Sequence, residues 1–319
     1  MAEPPTFTGP AAGLSVTTGK LNAVLIDDSG AVAASHGAVL DPSAESMPQM
    51  LELVRAIGPE FGEYRALGIA VPGLINRRTN RVEFSAEFPE HSRMDIVGEM
   101  AEAAHVQCVI ENDANAAGYG EFRVGAGRGT NELFYATLGK GIGGCFIFGG
   151  EIWRGGSGFA GEFGYITINS DGMRLEDVAS GSNIVRRTLG RIHQDSTSVL
   201  SKLDEQAITI TDIVGAARNE DDFALLMLER TGLYVGSAIA SVINLLNIEL
   251  ILIGGEIMGA GPVMLEAIQR RAREFSFGPS FSNTRIAAGE LGEDAAAIGA
   301  AIIAAESTSQ DRYPSASRV

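Results

Sequence analysis

The segment Glu111-Asn112-Asp113-Ala114-Asn115-Ala116-Ala117-Gly118 sets two carboxylates and two amides where an apolar run, Val106 to Ile110, passes into a helical pattern. A carboxylate held within hydrogen-bond reach of a hydroxyl suits proton transfer. The same residues serve equally well as a helix N-cap, because Asn and Asp side chains accept bonds from the first free backbone N–H groups. A second candidate is Thr137-Leu138-Gly139-Lys140-Gly141-Ile142-Gly143-Gly144. Glycines let backbone N–H groups approach a phosphate without Cβ interference, and Lys140 adds positive charge. A plain flexible hairpin fits that stretch as well. Glu162, in Gly158-Phe159-Ala160-Gly161-Glu162-Phe163-Gly164-Tyr165, reads by itself as a surface carboxylate.

The elements that must position these residues follow from periodicity. Leu14 to Val16 and Leu21 to Ile26 alternate as strands about a turn, and Asp28-Ser29-Gly30 turns the chain into Ala31 to Ala34. Ser46 to Ile57 has helical apolar spacing, Leu67 to Val71 is a short buried strand closed by Pro72-Gly73, and Met94 to Ala104 is a helix before the strand Val106 to Ile110. A second meander runs from Leu133 to Leu138 and returns along Cys145 to Phe148. Thr17-Thr18-Gly19-Lys20 in the first meander and Thr137-Leu138-Gly139-Lys140 in the second hold the same place between two apolar strands, an internal repeat. Gly232 to Asn247 is a long helix, Leu250 to Ile253 a buried strand, Pro262 opens a helix through Phe275, and a last helix spans Asp294 to Ala305. Strands alternating with helices predict mostly parallel sheets covered by helices.

Composition narrows the class. Across 319 residues, 45% hydrophobic and 20% charged content describes a foldable globular chain with room for two domains. A formal charge of −16 repels nucleic acid and anionic membranes, and the densest basic runs, Arg77-Arg78 and Arg270 to Arg273, read as solvated faces. Cys108 and Cys145 sit in apolar runs and read as packing residues. With four scattered histidines they provide neither a disulfide framework nor metal-ligand spacing. No basic region followed by an apolar stretch opens the chain, and no uninterrupted apolar run reaches membrane-spanning length, so a cytoplasmic protein with no membrane partner is expected.

From about Gly13 to Ala305 the chain resembles the ROK family of repressors, open reading frames and sugar kinases. Glu111 to Gly118, preceded by Val71-Pro72-Gly73, resembles the family's catalytic motif, and Thr137 to Gly144 its second phosphate loop. Gly158 to Tyr165 with Leu175-Glu176-Asp177-Val178-Ala179-Ser180-Gly181 resembles the sugar-binding motif, and Ile253-Gly254-Gly255 the turn beside adenosine. The resemblance implies an α/β fold of two related actin-like, ribonuclease H-like ATPase domains facing a central cleft. Residues 13–115 with 292–306 are expected to form one domain and 116–291 the other, with flexible tails at 1–12 and 307–319. It implies ATP-dependent phosphorylation of a hexose or amino sugar in a glucokinase-like reaction using Mg²⁺, and a homodimer. Asp113 becomes the general base. Asn112, Glu162, Tyr165 and Glu176 become sugar ligands, and Gly19, Lys20, Gly139, Lys140, Gly141, Gly143, Gly254 and Gly255 contact the nucleotide or its phosphates.

Several positions depart from the family pattern. Ser15 stands where an Asp that helps hold Mg²⁺ is expected, Thr17-Thr18 replace two glycines, and Lys140 replaces Thr. A hydroxyl is a poorer partner than a carboxylate for a hard cation. Tyr165 replaces a histidine zinc ligand and the cysteine cluster before Leu175 is absent, so no zinc is expected; Tyr165 reads first as a packed aromatic. Glu87 stands where Asn is usual. The competing function is a catalytically impaired sugar sensor or regulator of the same fold. DNA binding is not expected, because only about a dozen residues stand where family repressors carry a helix-turn-helix module.

Overall fold

The computed structural model describes Phe7 and residues 9–308. The chain forms two compact units. One holds residues up to Gly129, Ile152–Ala160 and Asp294 onward, and the other holds Thr130–Glu151 and Gly161–Glu293. The boundary expected at 115/116 would cut a continuous helix, which stays with the first unit. Most of the expected tails lies outside the described residues, but Ala11 and Ala12 are buried in a strand.

In the first unit the elements are β1 (Ala11–Thr17), β2 (Lys20–Ile26), β3 (Val32–Val39), α1 (Ser46–Phe61), β4 (Ala66–Val71), β5 (Leu74–Asn76), β6 (Arg81–Phe84), α2 (Ile96–Ala104), β7 (Gln107–Asn112) and α3 (Asp113–Val124). The sheet order is β3-β2-β1-β4-β7. Its first three strands run antiparallel, and β1, β4 and β7 run parallel. Alternation along each strand separates two faces. Leu14, Val16, Leu67, Ile69 and Ile110 meet Met50, Val54 and Ile57 of α1 and Met100 of α2 in one core. The opposite face carries small residues. A Cβ added at Gly13 or Gly68 would lie 1.9 Å from a backbone oxygen of Ala297 or Ala300, so the last helix, α10 (Ala295–Thr308), lies directly on β1 and β4. Its Gly299 comes equally close to Ala116 of α3.

The second unit continues with β8 (Glu132–Leu138), β9 (Ile142–Phe148), β10 (Glu151–Ile152), α4 (Glu176–Ala179), α5 (Gly181–Leu189), α6 (Ile210–Arg218), α7 (Asp222–Leu246), β11 (Leu250–Gly254), α8 (Pro262–Phe275), α9 (Gly278–Ser282) and β12 (Arg285–Ala288). Its order, β10-β9-β8-β11-β12, repeats the first: an antiparallel meander beside parallel strands. The two Thr-x-Gly-Lys turns occupy equivalent hairpins, so the repeat seen in sequence is a repeat of structure. The helix expected from Gly232 starts ten residues earlier, where the Asp221 side chain accepts a bond from the Ala224 N–H and caps α7. α7 is long and apolar enough to cross a membrane by length and composition, but Val235, Ile239 and Ile243 lie in the core with Phe134, Ile251 and Ile253. Cys108 and Cys145 are free and buried, and apolar surroundings push the Cys108 thiol up to about 12.

Candidate active site

The junction of β7 and α3 builds the first unit's polar cluster. Glu111 ends the buried part of β7 with 2% exposure. Arg154 grips one carboxylate oxygen through Nε at 3.1 Å and Nη2 at 2.5 Å, with Arg77 Nη1 at 3.5 Å. The other oxygen accepts from Asn115 Nδ2 and the Asn112 N–H. So satisfied, Glu111 acts as a fixed anchor for the turn. Asn112 is the N-cap of α3, its Oδ1 accepting from the Asn115 N–H at 3.0 Å. Its amide nitrogen donates to Gly73 O at 3.1 Å and Asp113 Oδ1 at 3.0 Å. The cap reading is fulfilled, and the same side chain also holds the Asp113 carboxylate through its amide.

Asp113, the first residue of α3, is raised to about 6, by burial first and the Glu87 charge second. Backbone N–H groups at the helix start and the Asn112 amide oppose the rise without cancelling it. Glu87 also accepts a hydrogen bond from the Thr18 hydroxyl, which ties the first Thr-x-Gly-Lys turn to the loop after β6. That loop is fixed by buried His91. The Ser46 hydroxyl donates to Glu90 and contacts His91 Nε2 at 2.8 Å, and Phe88 stacks on the imidazole. Ser15 is 4% exposed on β1, opposite Asn22, whose amide donates to Asp294 Oδ1 at 2.7 Å. A carboxylate thus stands at the start of α10, beside the strand pair that lacks one at position 15.

In the second unit, Glu162 precedes a short 3-10 turn, Phe163–Tyr165, and Glu176 opens α4. A Cβ on Gly164 would lie 2.7 Å from Glu176 Oε2, so this glycine lets the Glu176 carboxylate against the turn that carries Glu162. Partial burial and then the Glu176 charge hold the Glu162 carboxyl above its usual range. Tyr165 departs from expectation: it is 57% exposed, with the Arg174 guanidinium 4.4 Å over its ring, and packs in no core. The turn from β8 into β9 is closed by Gly139 N–H to Gly141 O, and Gly139 O accepts from the Gly181 N–H at 2.8 Å. Gly255 has φ +93° and runs so close to β8 that an added Cβ would lie 2.3 Å from Leu138 O. These contacts gather Gly139, Lys140, Gly141, Gly254 and Gly255 at one end of the second sheet. Lys20 and Gly19 occupy the corresponding turn of the first, and Gly143 lies on β9 paired with Thr137.

A family model for the ROK family matches residues 11–307. The chain belongs to the ROK family. A glucokinase of Thermotoga maritima is 33% identical over 252 residues, covering 75% of this chain and 79% of that protein. A xylose repressor of Bacillus spizizenii is 29% identical, covering 75% of this chain and 61% of the repressor. Among solved structures, a ROK family glucokinase from Streptomyces griseus, in complex with glucose and AMPPNP, matches with TM-score 0.83 and 26% identity, covering 93% of this chain and all of that one. The two actin-like, ribonuclease H-like units are those of ROK sugar kinases.

Several contacts had no local signal. Arg77 and Arg154 lie 34 and 43 residues from Glu111, and nothing in sequence spacing joins them. The Thr18 to Glu87 bond is likewise invisible without the fold. Among the described residues, no group of three or more His, Cys, Asp or Glu side chains is placed to hold a metal.

Proposed function

We propose that the protein is an ATP-dependent sugar kinase with Asp113 as general base. The observation that carries this reading is a carboxylate raised to about 6 at a capped strand-to-helix junction, inside a ROK catalytic motif. Such a group is ionised at neutral pH yet basic enough to accept a hydroxyl proton as the oxygen attacks phosphorus. The Asn112 amide holds Asp113 in orientation, and Asn112 is itself pinned by Gly73 O and the Asn115 N–H. In the second unit, Glu162, Glu176 and exposed Tyr165 are assigned to sugar hydroxyls.

The residues present suit a nucleotide. Space lies open beside Gly19 and Gly141, where an added Cβ meets nothing within 4 Å, so there is room for phosphate oxygens against both turns. Lys20 and Lys140, one in each of the two equivalent turns, are assigned to phosphate and Gly254-Gly255 to adenosine by the family motifs, the two glycines being required by the close approach of this turn to Tyr135 and Leu138 of β8. For Mg²⁺ the donor set is altered: Ser15 offers a hydroxyl in place of a carboxylate, and Asp294 is assigned as the replacement carboxylate because it accepts from Asn22, the ladder partner of Ser15. When bound, Mg·ATP supplies the phosphoryl group and neutralises charge developing on its oxygens.

A sugar-responsive regulator is the second reading, favoured by Ser15 in place of the expected carboxylate and by the similarity to a xylose repressor. Incubation with ATP, Mg²⁺ and a panel of hexoses and amino sugars separates the two. ADP release with one sugar supports the kinase; sugar-induced stabilisation without ADP release supports the regulator. Cytoplasmic location and a homodimer rest on family resemblance, and sedimentation of the purified protein tests the latter.

A further inference from the structure

The second unit contains a cavity of about 590 Å³ that shares no residue with the candidate active site. Three helical segments build it. The end of α5 and the turn after it contribute Arg187 and Arg191, α7 contributes Arg230 and Tyr234, and α8 contributes Arg271 and Phe275. Within α7 and α8 the spacing is i, i+4, which puts Arg230 with Tyr234 and Arg271 with Phe275 on one helix face each, while Arg191 reaches the cavity from the turn after α5. Four arginines thus converge, and among the described residues no Asp or Glu lines the cavity. In a chain of net charge −16 this is a concentrated reversal of sign.

Four guanidinium groups lining one cavity repel one another, so the arrangement needs a counter-charge. The nearby carboxylates supply little. Glu274 holds only Arg271 Nη1, at 3.0 Å, while Arg271 Nε is buried with no partner among the described residues. Glu229 is committed to Arg270, which lies outside the cavity. Arg187 is fixed by Val178 O at 2.7 Å and Thr231 Oγ1 at 3.1 Å, so part of the cationic wall is already ordered. The walls also carry aromatic faces. Arg187 lies 5.3 Å from the Tyr234 ring centre and Arg271 lies 5.0 Å from that of Phe275, and both rings are partly exposed. The volume falls within the range of small-molecule sites, and arginine forks match phosphate oxygens in geometry and charge.

We propose that this cavity is a second binding site, for a small phosphorylated ligand that carries a ring to stack on Tyr234 and Phe275. Phenyl phosphate is the probe, with inorganic phosphate and phenol as its separate halves, titrated calorimetrically into the full chain. Saturable binding of phenyl phosphate is expected, at least tenfold tighter than either half. R191Q/R230Q should weaken phenyl phosphate and inorganic phosphate by at least tenfold. Tyr234→Ala should weaken phenyl phosphate alone by about threefold or more. If the double variant does not fold, R191Q by itself must still weaken both phosphates. Unchanged affinity in these variants would place any bound probe elsewhere and overturn the proposal. Absence of binding at millimolar probe would overturn it too, as would R191Q/R230Q dissociating a self-associated protein without altering probe affinity. That last result would assign the arginines to a contact between copies.

Discussion

Asp113, the proposed general base, takes its character from its environment. Folding raises it from 3.8 to about 6, so the cost to stability appears as pH climbs past 4 and is complete above about 7. Asp113→Asn should therefore make the protein more stable at pH 7.5, by about 1–3 kcal/mol, with no gain near pH 4. Turnover should fall by roughly two to four decades. Thermal midpoints at the two pH values and steady-state kinetics check both signs, and undiminished turnover would remove Asp113 from its role. Glu87 is the second cause of the raised value. Wild-type kcat/KM should rise with pH through about 6, and Glu87→Gln should move that midpoint down. An unmoved pH profile would mean that the Glu87 charge is not felt at Asp113.

Among the elements, α10 has the least tolerance. Gly299 stands within 1.7 Å of Ala116 O if given a Cβ, so Gly299→Ala must push α10 from α3 and should destabilise by about 1–3 kcal/mol. Urea denaturation measures it, and wild-type stability would show that the helices separate freely. How much of such detail was legible varies with its physical origin. The twin hairpins were readable because alternation and a glycine turn are local, and α3 because its cap adjoins its apolar run. The start of α7 was missed because Gly232 reads as punctuation, whereas it lies mid-helix against α8, and the true start is signalled by Asp221. α6 was passed over despite a local sign, the reciprocal bonds of Thr209 and Asp212 that form its capping box. The Glu111 pairings and the Arg174 cover on Tyr165 depend on tertiary approach, which no local pattern encodes. The missing histidine and cysteine ligands, by contrast, were plain in the sequence. The purified full chain, dialysed against chelator, should contain well under one zinc per chain by metal analysis; a stoichiometric content would overturn the reading of the Gly164–Leu175 loop.

At the scale of the whole molecule, the first unit is assembled from three separated stretches of chain, and its last stretch is α10. That helix covers the face of β1 and β4 bearing Gly13 and Gly68, at the opposite end of the sequence. Synthesis proceeds from the N-terminus at about 5–20 residues per second, so β1 waits roughly 15–60 s before its covering helix exists. The second unit's stretches are all made before Asp294. Vectorial emergence therefore lets the later unit fold first while the earlier one, with its catalytic-motif junction, stays incomplete. Chains ending at Glu293 and tethered to the ribosome by an unstructured linker long enough to clear the exit tunnel should resist protease within 161–293 and be cut within 9–129, whereas released chains that include α10 should resist in both. Equal protection of both regions in the halted chain would show that α10 is dispensable for closing the first unit. The covering helix thus acts as a completion signal: the unit that carries the Asn112-Asp113 junction is finished only once Ala295–Thr308 has been made.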